Sequence, residues 1–159
     1  MKDLSKYGIL KEKGRSYESI IYVLALIYNL ANQKAEEYFA QYNLSVAKFN
    51  VLMLAAFRNE GKGITQVDMA KSLIASASNI TKLVDDLKRR GLISRTQNTL
   101  NRRENIIRTT AAGRKLIDKV WPEYDKMLKS FTDKIPVNKQ KTAAAILNGW
   151  FENLTKEDK

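Results

Sequence analysis

What most constrains this chain is how rarely it is interrupted. Its two prolines stand at 122 and 136, and its glycines fall mainly at 8, 14, 61, 63, 91 and 113. Most of the length therefore holds no residue that stops a helix, and a mostly helical fold is predicted. Residues 16 to 42 read as one long helix. Ile20, Val23, Leu24, Ile27, Leu30 and Ala31 recur at three- and four-residue spacing, while Ile21, Tyr22 and Leu26 fill much of the other face. A helix apolar on several sides needs cover on more than one of them, which in a chain of 159 residues suggests a second subunit.

Ser45 is placed to cap a helix running to about Asn59, with Phe49, Leu52, Met53, Ala56 and Phe57 as its inward stripe. Glu60-Gly-Lys-Gly63 breaks it. Thr65, with Asp68 three residues on, opens a short helix that ends near Leu73 or Ile74. Ser76 or Ser78 caps the next, which runs to Arg90 and closes on Gly91. Two short strands, 92–97 and 105–109, enclose a polar loop of about seven residues and read as a hairpin. Thr110 caps a long helix over 111–132 striped by Leu116, Ile117, Val120, Trp121, Tyr124, Met127, Leu128 and Phe131. Pro122 should kink it or end one segment of it. After Pro136 a last helix carries Ala143, Ile146, Leu147, Trp150, Phe151 and Leu154 on one side.

Helix, short helix, tight turn, helix and hairpin, in that order, make a winged helix-turn-helix. In its second helix Ile80, Leu83, Val84 and Leu87 are spaced i, i+3, i+4 and i+7, one inward stripe. Ser76, Ser78, Asn79, Thr81 and Lys82 are left near the N-terminal end, the part of such a helix that reaches base edges in the major groove. Asn79 can pair with adenine, Lys82 can reach guanine or a phosphate, and the serines suit either phosphates or bases. The plain alternative is that these are capping and solvent-side residues of an ordinary amphipathic helix.

Charge shifts the balance toward nucleic acid. The chain holds 28 Lys and Arg against 17 Asp and Glu, a net +11. From Lys62 to Arg108 ten basic residues face four acidic ones, so this segment alone carries +6. Lys88, Arg89 and Arg90 also suit the negative end of a helix. Arg102 and Arg103, at the hairpin tip, have no such explanation, and insertion into a narrow minor groove or clamping of phosphates accounts for them.

The run from Leu44 to Phe131 resembles the MarR family of bacterial transcriptional regulators. The matching pieces are LSVAKFNVLMLAAF, ITQVDMAKSLIASASNITKLVDDLKRRGLISR and NRRENIIRTTAAGRKL. That family's wing reads Asp-x-Arg, a short apolar strand, then Leu-Thr-x-x-Gly. Arg103, Thr110 and Gly113 match it, whereas Asn101 replaces the Asp and Thr109 the Leu. An amide at 101 offers Arg103 only a neutral acceptor, so the wing is expected to be either more mobile or more positive, and the second, a wing that grips phosphates with less discrimination, is the favoured outcome.

The resemblance implies a mostly α fold with a small β-hairpin wing. It implies one MarR-like domain over 1–159, a winged helix-turn-helix over 44–110, and dimerisation helices at 16–42 and 111–155. It also implies a homodimeric regulator, most simply a repressor, with one recognition helix on each half-site of a palindromic double-stranded DNA operator. The expected DNA contacts are Ser76, Ser78, Asn79, Thr81, Lys82, Arg95, Asn101, Arg102 and Arg103. Many family members are released by small aromatic ligands, and Tyr28, Tyr38, Tyr42, Phe49 and Trp121 are the aromatic residues that could line such a site, though each also suits ordinary core or interface. The other reading of the same fold is a module for non-specific nucleic-acid or protein binding, and Asp85 and Asp86 would support it if they faced the groove.

The chain has neither cysteine nor histidine. Disulfides, thiolate chemistry, Cys/His metal sites and His-based acid–base catalysis are thereby excluded. With no paired carboxylates or phosphate-binding glycine loop standing out, no enzyme activity and no cofactor are expected. The N-terminal residues lack a signal-peptide core, and the longest apolar run, Ile20 to Tyr28, is far short of a membrane span. A cytoplasmic protein with no membrane partner is expected.

Overall fold

A computed structural model describes Tyr7, residues 16–98, Asn101 and residues 104–156. The chain divides into two compact units, Met1–Val120 and Trp121–Lys159. In the first, α1 (Ser16–Ala40) leads into α2 (Val46–Phe57), an irregular turn (Arg58–Gly61), β1 (Ile64–Thr65), α3 (Gln66–Ser72), α4 (Ala77–Arg89), β2 (Ile93–Gln97) and β3 (Asn105–Thr109). The helix α5 (Ala111–Thr132) begins in this unit and continues unbroken through Pro122 into the second, which also holds α6 (Val137–Lys156). Pro122 therefore ends no segment.

The predicted caps form. Ser45 accepts the Lys48 N–H at 3.2 Å, and the Glu36 carboxylate takes a further orphan donor of α2, the Val46 N–H, at 3.1 Å. At Thr65 the hydroxyl accepts the Asp68 N–H at 3.1 Å and donates to the Asp68 carboxylate at 2.8 Å. Of the two serines proposed to start α4, Ser76 is the cap, accepting the Asn79 N–H at 3.3 Å. Gly91 ends α4 in the left-handed region at φ +70°. It donates to the Lys88 carbonyl while Leu92 reaches back to Leu87.

One strand goes unpredicted. The two residues of β1 pair with β3, Ile64 opposite Ile107, so the sheet has the order β1–β3–β2 and all pairings are antiparallel. A two-residue strand shows no alternation in sequence; it exists because β3 supplies its partner. On the other side of the wing, the Thr-x-x-Gly element has a direct physical reading. Thr110 donates its hydroxyl to the Gly91 carbonyl at 2.6 Å and accepts the Gly113 N–H at 3.1 Å. A Cβ on Gly113 would overlap the Leu92 carbonyl oxygen, so this turn of α5 seats on the wing base only without a side chain.

The core of the first unit holds Phe39 stacked on Phe49 with centroids 4.5 Å apart, and around them Val51, Leu52, Ile64, Met69, Ile80, Val84, Leu87, Ile107 and Val120 are fully buried. Each such side chain removed from water contributes about 1.5–3 kcal/mol. Phe57, Trp121 and Leu128 depart from their predicted stripes and are exposed. Phe57 is the last residue of α2, and the Arg114 guanidinium lies over its ring at 4.6 Å, a partner that hydrophobic spacing does not reveal. Along α1 only Ala35 and Phe39 are buried.

In the second unit Gln140 donates to the carbonyls of Thr132 and Ile135 at 3.3 and 3.2 Å, closing the corner between α5 and α6, and Trp121 meets Tyr124 edge-on at 6.0 Å. Helix α6 has no buried residue. No helix of the described residues is long and apolar enough to cross a membrane.

The tight turn between α3 and α4 carries a strained residue. Ile74 sits at φ +48°, where a β-branched side chain is crowded, and is 76% exposed, so it recovers little by burial. Ile74→Gly is expected to raise stability by about 1 kcal/mol, read as a higher Tm in thermal unfolding; a lower Tm would show that the side chain is needed where it stands.

Candidate nucleic-acid interface

The segment α3, turn and α4 presents the helix-turn-helix. Ile80, Val84 and Leu87 are buried and Leu83 half-buried, whereas Ser76, Ser78, Asn79, Thr81 and Lys82 are exposed. The two sides of α4 thus separate as 3.6-residue periodicity requires, and the five polar residues expected at DNA come together on one end of one helix. Ser76 and Ser78 share a hydrogen bond of 3.3 Å between their hydroxyls. Thr81 donates to the Ala77 carbonyl at 2.9 Å and accepts from Gln66 at 3.3 Å.

Both acidic residues of α4 are held within the chain. Asp86 meets Lys48 of α2 at 2.7 Å and Arg89 at 3.0 Å. Asp85 meets Arg95 of β2 at 3.1 Å. Their charges are offset by neighbouring cations, which weakens the expectation that they repel phosphates. Among the cations, Arg90 also turns inward, donating to the carbonyls of Asn43 and Tyr42 at 2.6 and 3.0 Å just beyond α1. Arg108 donates to Thr96 across the hairpin at 2.8 Å.

Arg95 itself, expected at DNA, points its fork at Asp85 and at Gln66, to which it donates at 2.7 Å, and its Nε is enclosed with no partner among the described residues. Asn101 is exposed, and its carbonyl accepts the Glu104 N–H at 2.9 Å, narrowing the hairpin end. Arg102 and Arg103 lie outside the described residues. Gln66 is the participant that the sequence did not reveal: it stands 29 positions from Arg95, and no local pattern marks it.

The five aromatic residues named for a ligand site take different places. Tyr28 borders a cleft of about 580 Å³ that Asn32, Glu36, Asn50, Ser76 and Asn79 also line. Phe49 is core, filled against Phe39. Tyr38 donates to the Val120 carbonyl at 2.8 Å with the Tyr42 hydroxyl 3.5 Å away, and Trp121 belongs to the second unit. The aromatic residues therefore do not all line the cleft, whose polar members are amides, hydroxyls and one carboxylate.

Residues 44–105, which hold this helix-turn-helix and the start of β3, match the sequence model of the MarR family. Over nearly the whole chain the sequence is also 25% identical to the HTH-type transcriptional repressor YetL of Bacillus subtilis (strain 168), across 98% of this chain and 96% of that protein. Over the helix-turn-helix and the wing's first strand the chain is thus similar to the MarR family. Solved structures share the fold. CouR from Rhodococcus jostii RHA1, bound to p-coumaroyl-CoA, superposes with a TM-score of 0.70 at 26% identity, covering 85% of this chain and 88% of that one. The complex of Staphylococcus aureus MepR with DNA shares the fold at a TM-score of 0.73 and 23% identity, covering 83% and 96%. In this chain α4 is the second helix of the helix-turn-helix, and β2 and β3 form the wing.

The Asp86 carboxyl is held below its ordinary value of 3.8, first by the hydrogen bond from Lys48 and also by Arg89, against desolvation that pulls the other way. A carboxyl depressed in the folded state stabilises above its unfolded value, and that contribution fades as pH falls through the folded value. Asp86→Asn is therefore expected to cost about 0.5–1 kcal/mol at pH 7 and nothing at a pH below both values, checked by unfolding at each pH. A gap that stays constant with pH would show that the charge is not what holds α4 to Lys48.

Proposed function

We propose that this chain is a MarR-family regulator, a homodimeric, sequence-specific DNA-binding repressor. The observation that carries the reading is the split along α4: an apolar side whose Ile80, Val84 and Leu87 are buried, and a polar N-terminal end whose Asn79 and Lys82 remain exposed while both acidic residues are tied into the chain. In this reading α4 enters the major groove, Asn79 and Lys82 meet base edges, and Arg102 and Arg103 of the wing take the minor groove or phosphates. The name of the B. subtilis relative, a transcriptional repressor, supports the sign of regulation.

The test begins with a duplex selected from a random pool. Its affinity is expected to fall steeply with salt, because each neutralised phosphate releases counterions, and to exceed that of random DNA by about 10³-fold or more. Asn79→Ala and Lys82→Ala are expected to change which sequence is preferred, whereas Arg103→Ala weakens binding to all sequences alike. A flat salt response, or no preference for any duplex, would reduce the protein to a non-specific module.

Dimerisation is supported by apolar residues that stand in water on each unit. On α1 these include Ile20, Ile21, Leu24, Ile27 and Leu30, and on α6 they include Ile146, Leu147, Phe151 and Leu154. A patch of that kind marks an interaction surface. Two-fold symmetry would then place the two α4 helices on half-sites about 34–36 Å apart. Sedimentation is expected to give twice the chain mass for the protein and once for Leu24→Glu/Ile27→Glu; a wild type that sediments as one chain removes the dimer from the reading.

A further inference from the structure

The wing base and the reading end of α4 are joined by a short relay of side chains. Arg95 stands on β2 opposite Ile107 of β3. Its Nη1 lies 3.1 Å from Asp85 Oδ1, and its Nη2 donates to Gln66 Oε1 at 2.7 Å. Gln66, the first residue of α3, donates from Nε2 to Thr81 Oγ1 at 3.3 Å, and that hydroxyl donates onward to the Ala77 carbonyl at 2.9 Å. The Arg95 side chain is only 22% exposed, and its fork is occupied by a carboxylate and an amide of its own chain.

We propose that Arg95 and Gln66 are positioning residues for DNA reading. They hold the wing base and the start of α3 against the N-terminal end of α4, so that Thr81 and its neighbours meet base edges in one placement, and neither residue touches DNA. This rests on the DNA-reading function proposed above and assigns to it two residues that act from behind the contact face. Geometry is what selects arginine here. A guanidinium reaches two acceptors at once in a fixed plane, whereas the ammonium of a lysine is a point charge on a flexible stem. The acceptors come from two different helices, α4 and α3, and the donor from a strand, so the fork fixes three elements with one side chain.

The experiment compares wild type with Arg95→Lys, Arg95→Ala and Gln66→Ala. Each is titrated onto the selected duplex and onto a random duplex of equal length across a salt series, with melting followed by circular dichroism. If the two residues position the reading end, Arg95→Lys and Gln66→Ala both lower the ratio of specific to random affinity about tenfold. Their random-duplex affinity and salt slope stay at the wild-type values. Neither substitution removes a charge, so loss of a phosphate contact cannot imitate this result.

If Arg95 instead clamps a phosphate, Arg95→Lys matches wild type. Arg95→Ala then weakens both duplexes alike and lowers the salt slope by about one, which overturns the proposal. A simple loss of folded protein scales both affinities together and leaves the ratio untouched, which also overturns it. A wild type with no sequence preference sinks the DNA-reading function itself, and is read from the wild-type titration alone.

Discussion

Ile80, Val84 and Leu87 leave water along one side of α4, where the helix packs on α2 and α3, and this burial orients the whole reading head. Three such side chains contribute about 1.5–3 kcal/mol each, whereas a partly exposed ion pair such as Asp86 with Lys48 adds about 1 kcal/mol at most. Burial therefore decides which way α4 faces, and the ion pairs refine it. Because an α-helix turns 100° per residue, fixing three inward positions also fixes what is left outside. Asn79 and Lys82 face solvent as the geometric complement of the core.

Features governed by neighbours in sequence were legible from the chain alone. The caps at Ser45, Thr65 and Ser76, the Gly91 closure and the inward stripe of α4 each depend on residues within about one or two helical turns, so spacing carries the information. Tertiary partners were not legible. In composition Arg90, Arg95 and Arg108 count as equal positive charges available to DNA, yet each turns its fork onto its own chain. Nothing local distinguishes an arginine that meets a carbonyl 47 positions away from one that meets water. The same holds for β1, whose pairing partner lies some 40 residues downstream and whose own two residues serve equally as a helix lead-in.

The candidate site divides in the same way. Its α4 portion follows from periodicity, and the five polar side chains expected at DNA stand exposed together at one end of the helix. The aromatic residues grouped for a ligand are spread over different places, because an aromatic side chain serves as core, hydrogen-bond donor or cleft wall with the same sequence spacing, and only the fold chooses. Phe49 went to the core, Tyr38 to a carbonyl and Tyr28 to the cleft rim. The over-apolar character of α1, by contrast, was readable directly. A helix with two buried residues out of 25 has more oil than its own unit can cover.

Arg90 caps α4 at the residue just before the chain turns into the wing, and its two N–H groups are given to consecutive carbonyls just past the end of α1. Those carbonyls belong to a turn held open by Asn43 at φ +54°. One planar group thus works as a bracket between the longest helix of the fold and the far end of the helix that faces outward. A bracket of this kind resists sliding and twisting together, since moving either carbonyl alone breaks the shared plane. The pitch of α4 relative to α1 is consequently a property of the backbone around residues 42, 43 and 90, and it is set at the opposite end of α4 from its exposed polar face.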